Sequence, residues 1–191
     1  MSVKNEHFLA EVNSDWTLFL DRDGVINRKL HNNYVKALNE FEILPGVLEA
    51  LFVLKDWFST ILIVTNQQGI GKGLMTEENL SWIHKFLLAE VENAHGRIDA
   101  IYYCPHLAGE DCSCRKPGPG MAFQAKNDFN SIDFDKSIIV GDSQSDMEFG
   151  KKLGMKKVFC GKIKTFHGEV DLNVQSLNQF SRLLTSYSSP L

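Results

Sequence analysis

Asp21 and Asp23 stand two residues apart where the apolar run Leu18-Phe19-Leu20 stops. Residues two apart on extended backbone point the same way, so both carboxylates can face one crevice. Carboxylates so placed need positive charge beside them, and a hard cation such as Mg²⁺ together with a phosphate ester supplies suitable chemistry. On its own the pair reads first as a solvated acidic turn closing a strand. Three further clusters reverse that reading. Thr65-Asn66-Gln67 follows the apolar run of residues 60–64, Arg115-Lys116 precedes Pro117, and Gly141-Asp142 follows the apolar run of residues 137–140. Together they add a hydroxyl with amides, two cations and a third carboxylate. A carboxylate can attack phosphorus to give an aspartyl-phosphate. Its own charge opposes approach to a phosphate dianion, so a metal and a lysine are needed nearby. A second aspartate can protonate the leaving oxygen and later take a proton from water, provided it is held partly protonated against an ordinary pKa of about 3.9.

A second constellation is Cys104, His106, Cys112 and Cys114, three thiols and an imidazole within eleven residues. These are the donors of a closed tetrahedral zinc site. Disulfides compete with that reading, but Cys112 and Cys114 are poorly placed to pair, and the expected compartment is reducing. With all four positions supplied by protein, the zinc is expected to be structural, folding the loop that aims Arg115 and Lys116. Cys160 reads as a core thiol. His7, His31, His84, His95 and His167 are scattered, and only His31, in the segment expected to cover the crevice, is a candidate to touch substrate. Trp57 and Trp82 read as packing residues within helical patterns, with Trp82 expected to be only partly buried. The glycines of Gly69-Ile70-Gly71-Lys72-Gly73 fit neither nucleotide-loop pattern and read as a mobile turn.

The elements that must position these groups can be read from periodicity. Buried strands are expected at Thr17 to Leu20, Thr60 to Val64, Ile98 to Tyr103, Ser137 to Val140 and Lys157 to Cys160. Helices are expected after Pro45-Gly46, with Val47, Leu48, Leu51, Leu54 and Phe58 buried, after Thr76, after Pro119, between Asp146 and Gly154, and after Ser176. This alternation predicts an α/β three-layer sandwich around a mostly parallel, Rossmann-like sheet. Right-handed crossovers then bring Asp21, Asp23, Thr65 and Asp142 to one sheet edge. Residues 25–40 are too long for an ordinary connection and are expected to cover the crevice. Residues 1–16 read as a loosely packed extension, followed by a single domain over residues 17–187 with the zinc loop at 104–114.

The 191-residue chain is 43% apolar and carries a net charge of −4. It shows neither a signal peptide nor an apolar run of about 20 residues, so a cytoplasmic location without membrane attachment is expected. Its interspersed charges offer no basic face for nucleic acid.

The stretches Asp21-Arg22-Asp23-Gly24-Val25, Val64-Thr65-Asn66-Gln67, Cys104-Pro105-His106, Cys112-Ser113-Cys114-Arg115-Lys116-Pro117 and Gly141-Asp142 resemble, in order, the haloacid dehalogenase (HAD) superfamily. The resemblance is to the branch holding the heptose bisphosphate phosphatases and the histidinol-phosphatases, and it runs from about Thr17 to Val158. It implies a HAD-like fold without a large cap domain. It further implies Asp21 as nucleophile and Asp23 as general acid and base, with Mg²⁺ on the Asp21 carboxylate, the Asp23 carbonyl and Asp142. Thr65 and Lys116 match positions that hold the phosphoryl group. Asn66, Gln67 and Arg115 match substrate contacts, and Asp146 is expected to orient the metal shell. The flanks Tyr34-Val35, Phe41 to Val47, Ile101 to Cys104 and Arg115 to Met121 look more like the heptose enzymes. The short zinc loop looks like the histidinol-phosphatases, and Ser143 replaces a lysine of the heptose enzymes. The implied reaction is removal of the C7 phosphate of D-glycero-D-manno-heptose 1,7-bisphosphate, with histidinol phosphate as the alternative substrate. Remoter alternatives are a nucleic-acid 3′-phosphatase, which needs a basic groove, and a non-catalytic zinc protein, which would have lost Asp21, Asp23 or Lys116. The expected partner is a small phosphorylated metabolite, and the chain is expected to act as a monomer.

Overall fold

β1 (Thr17–Leu20) lies at the centre of a six-stranded sheet, because its four residues are buried on both faces and uncharged. In this computed structural model, which describes residues 6–31, 33–162 and 168–187, β1 pairs in parallel with β2 (Thr60–Asn66) and β4 (Ser137–Gly141). β3 (Ala100–Cys104), β5 (Lys156–Cys160) and β6 (Leu172–Val174) complete the order β3-β2-β1-β4-β5-β6, and every pairing is parallel.

Alternation along the strands divides the core into two layers. Leu18, Leu20, Ile61, Ile63, Ile138 and Val140 face α1 (Val47–Leu54), α2 (Glu77–Asn93) and α5 (Leu177–Tyr187). Phe19, Leu62, Val64 and Ile139 face α3 (Gly120–Asp128) and α4 (Gln144–Leu153). The expected three-layer α/β sandwich is therefore present. No helix of the described residues is long and apolar enough to cross a membrane.

Several local expectations change. From residue 6 onward the extension is not loosely packed: a 3₁₀ turn at Glu6–Glu11 buries Phe8 and Leu9, and Val12 and Trp16 join the same core, while residues 1–5 lie outside the described residues. α1 stops at Leu54, and Phe58 is buried from the following turn instead. β6 escaped the periodicity reading because its three residues include only two apolar positions. Trp82 is 58% exposed, so it is not a packing residue, whereas Trp57 and Cys160 are buried as expected. His167 and the last residues of the chain lie outside the described residues.

α2 and α4 begin as their sequences require. Thr76 and Asn79 form a reciprocal capping box, as do Ser143 and Asp146. Gly154 closes α4 in the left-handed region at φ 76°. Parallel pairing puts the C-terminal ends of β1, β2 and β4 side by side, and the crevice opens there, as open α/β sheets place their ligand sites.

Candidate active site

Asp21 leaves β1 with its N–H bonded to the Val140 carbonyl at 2.9 Å, which locks the first carboxylate to the neighbouring strand end. The Lys116 ammonium, almost wholly buried, donates to Asp21 Oδ1 at 2.8 Å, Asp146 Oδ1 at 2.5 Å and the Val64 carbonyl at 2.6 Å. Burial disfavours that ammonium, but Asp146 and Asp21 outweigh it and hold the pKa above the ordinary lysine range. Burial and the Asp146 charge push the Asp21 carboxyl up to about 7, although Lys116 opposes them. A further cation beside Asp21 would bring it back toward the ionised nucleophile.

Asp23 sits in a different environment. Its Oδ1 accepts from Arg22 Nη2 at 3.0 Å and Asn27 Nδ2 at 2.9 Å, and its Oδ2 accepts from Arg22 Nη2 at 2.9 Å and Gln67 Nε2 at 2.9 Å. Burial pushes this carboxyl up, but Arg22, Asn27 and Gln67 together hold it below its ordinary value. The condition of partial protonation is therefore not met in the free site. A phosphate dianion bound beside Asp23 would raise its proton affinity through like-charge repulsion.

β2 ends on Thr65, whose hydroxyl accepts from Gln67 Nε2 at 2.8 Å. Asn66 pins the loop carrying Lys116: its Nδ2 donates to the Lys116 carbonyl at 3.1 Å, and its Oδ1 accepts from the Lys116 N–H at 2.9 Å. Asn66, Gln67 and Arg115 all line the crevice, but the Asn66 and Gln67 amides are already engaged within the protein. The covering segment supplies Lys29, Leu30, Asn33, Tyr34 and Val35 to the same crevice, whereas His31 is exposed and is not among its lining residues.

Asp142, at the end of β4, receives the Lys29 ammonium at 2.7 and 2.8 Å, one contact to each carboxylate oxygen. Oxygens of Asp21, Asp142 and Asp146 lie within 4.8 Å of one another. Asp146 gives its other oxygen to the Ser143 N–H and hydroxyl, which fits an orienting role. Such an oxygen set, already drawing two ammonium groups, fits a divalent hard cation. The approach of Asp142 requires Gly24: a Cβ there, at φ 96°, would stand 2.2 Å from Asp142 Oδ2.

The Cys/His cluster also converges. His106 Nδ1 is 3.1 Å from Cys114 Sγ and 3.5 Å from Cys104 Sγ, and the Cys104 and Cys112 sulfurs are 3.7 Å apart. No cysteine is in a disulfide among the described residues. Burial pushes the Cys104 thiol up, a cost that a metal bound to the thiolate would offset. Asn66 and Cys104 are register partners, and Gln67 N–H donates to the Cys104 carbonyl at 2.7 Å, so this cluster is anchored beside the Thr65 motif.

Nothing in the residue pattern marks Lys29 or Asn27 as partners of the site carboxylates. Arg22 was visible between the two aspartates, but a charged residue there gave no sign of complete burial.

A parallel sheet with carboxylates at the central strand ends and a buried lysine opposite them defines a HAD-like phosphohydrolase. Residues 113–170 match a family model described as HAD-hyrolase-like. The chain is 38% identical over 170 residues to a D-glycero-alpha-D-manno-heptose-1,7-bisphosphate 7-phosphatase of Mycobacterium tuberculosis, covering 87% of this chain and 90% of that protein. It is 37% identical over 162 residues to the D-glycero-beta-D-manno-heptose-1,7-bisphosphate 7-phosphatase of Yersinia pestis, covering 80% and 85%. Its fold superposes with a TM-score of 0.83 on the crystal structure of D,D-heptose 1,7-bisphosphate phosphatase from B. bronchiseptica complexed with magnesium and phosphate, at 28% identity, covering 91% and 99%. The chain belongs to the HAD-like phosphatases and, within them, to the family of these heptose-bisphosphate enzymes.

Proposed function

We propose that this phosphatase removes the C7 phosphate of D-glycero-D-manno-heptose 1,7-bisphosphate through an aspartyl-phosphate on Asp21. The observation that carries the reading is the meeting of Asp21, Asp23, Thr65 and buried Lys116 in one crevice, in a chain that aligns along 87% of its length with a named 7-phosphatase. Asp21 attacks phosphorus and the bond to the sugar oxygen breaks. Asp23 gives that oxygen a proton, then takes one from the water that cleaves the aspartyl-phosphate, which releases phosphate and frees Asp21. Lys116 and the Thr65 hydroxyl hold the phosphoryl oxygens. Asn66 and Gln67 act chiefly by fixing Lys116, Thr65 and Asp23, and Arg115 is the cation that reaches substrate at the rim.

Mg²⁺ would be held by the Asp21 carboxylate, the Asp23 carbonyl and Asp142, where it supplies charge neutralisation between nucleophile and phosphate. Zn²⁺ would be held by Cys104, His106, Cys112 and Cys114 and would serve the loop's fold. Purified protein with Mg²⁺ is expected to release one phosphate from heptose 1,7-bisphosphate in preference to histidinol phosphate, with both anomers assayed side by side. Failure on all of these at millimolar concentration overturns the substrate, and activity that survives Asp21→Asn overturns the mechanism.

A further inference from the structure

Arg22 is fully buried between the two catalytic aspartates of the sequence motif, yet it touches only one of them. Its Nη2 serves both oxygens of Asp23. Its Nη1 lies 3.3 Å from Nε2 of His84, on α2, and its Nε has no hydrogen-bond partner. The guanidinium is thus oriented by two side chains, Asp23 on one nitrogen and His84 on the other, with the Phe41 ring 5.9 Å away. An arginine only donates and stays charged, so His84 Nε2 must be the acceptor and the imidazole must be neutral, with its proton on Nδ1. Burial and the facing Arg22 charge push the His84 pKa down to about 3, which agrees with that tautomer. The ring is further set by an edge contact with Tyr103, centroids 6.1 Å apart.

We propose that His84 is a positioning residue for Asp23, acting through Arg22: by accepting from Nη1 it stops the guanidinium from turning away and so keeps the Asp23 carboxyl aimed at the leaving oxygen. The inference rests on the assignment of Asp23 as general acid. Without the His84 acceptor, Arg22 is anchored at one point and gains freedom to rotate about its contact with Asp23. Asp21, Lys116 and Asp142 share no hydrogen bond with either Arg22 or His84 among those described, so the nucleophile and its cations are left in place.

This predicts a loss that depends on the leaving group. A sugar alkoxide needs a proton to depart, whereas p-nitrophenolate leaves without one. His84→Leu is expected to lower kcat/KM for heptose 1,7-bisphosphate by about 10-fold or more, within the contribution of a general acid. For p-nitrophenyl phosphate the loss should be less than about 3-fold by the same reasoning. His84→Gln, whose amide oxygen can accept from Nη1, is expected to restore most of the loss. kcat/KM is the right measure because it stops at the first irreversible step and excludes hydrolysis of the aspartyl-phosphate. Asp23→Asn serves as the control and should show the same selective profile in larger measure. Equal losses on the two substrates, or no loss, overturn the role of His84 when Asp23→Asn is selective. If Asp23→Asn is itself not selective, the premise about Asp23 fails instead, and the inference falls with it. Should His84→Leu not fold, Arg22→Lys tests the same link, since one ammonium cannot reproduce both contacts. A selective loss is expected, and a non-selective one refutes the proposal.

Discussion

Replacing Lys116 by methionine removes the one ammonium that faces Asp21, Asp146 and the Val64 carbonyl at 2.8, 2.5 and 2.6 Å. Methionine roughly preserves the volume of the stem, so the loss is electrostatic more than steric. Removing one partner of a buried ion pair typically costs about 3–5 kcal/mol, because the other partner keeps an uncompensated charge. Here two carboxylates are left, and the carbonyl loses a donor, but the terms are not additive because Asp21 can take up a proton. Its pKa is already raised to about 7. A net loss of about 4 kcal/mol at neutral pH is therefore expected, or roughly 2 M in urea midpoint for a slope near 2 kcal/mol/M. The pH dependence has a definite sign. Without Lys116 the Asp21 carboxyl rises further above the unfolded value of 3.8. The folded state then binds the extra proton, and its stability falls as pH rises through the raised value. Urea melts of wild type and Lys116→Met in metal-free buffer, between about pH 6 and 8, should show the deficit growing with pH. A deficit below about 1 kcal/mol, or one that is flat across that range, would refute the buried ion-pair account. Turnover should fall by at least about 10²-fold, as when a preorganised electrostatic contact to the reacting group is lost.

Gly24→Ala would place a Cβ 2.2 Å from Asp142 Oδ2 at φ 96°; calorimetric titration should show affinity for Mg²⁺ weakened by about 10-fold or more. Elemental analysis of the purified protein should find one zinc per chain, and Cys112→Ser should lower turnover by about 10-fold or more while far-UV circular dichroism stays close to wild type, since the cluster supports a loop and not the sheet. A neutral, half-buried imidazole must charge on unfolding in acid, so stability is lost as pH falls below the unfolded His84 value of 6.5 toward about 3. Relative to His84→Gln, which does not titrate, wild type should lose about 2 kcal/mol in urea melts between neutral pH and about pH 5.

Most of the crevice could be read from the chain because most of its candidate groups follow buried strands, and the topology rules place such strand ends together. Asp21, Thr65 and Asp142 needed no coordinates for that reason. The Cys/His cluster was legible because its four residues are recognisable metal-ligand types at short spacings. Periodicity failed at β6, where a strand of three residues carries too little pattern, and at Glu6–Glu11, where a 3₁₀ turn follows neither the helical nor the strand period.

By itself the sequence determined five of the six strands and the helices between them, the phosphoryl-transfer chemistry and the family, since these rest on residue types at fixed local spacing. Only the tertiary structure decided which groups neutralise which. Arg22 and Asp23 are adjacent in the chain, but the histidine that meets Arg22 Nη1 lies 62 residues away on α2. Lys29 reaches Asp142 across 113 residues, and Lys116 reaches Asp21 across 95. Charge pairing depends on distance and burial, and separation along the chain specifies neither.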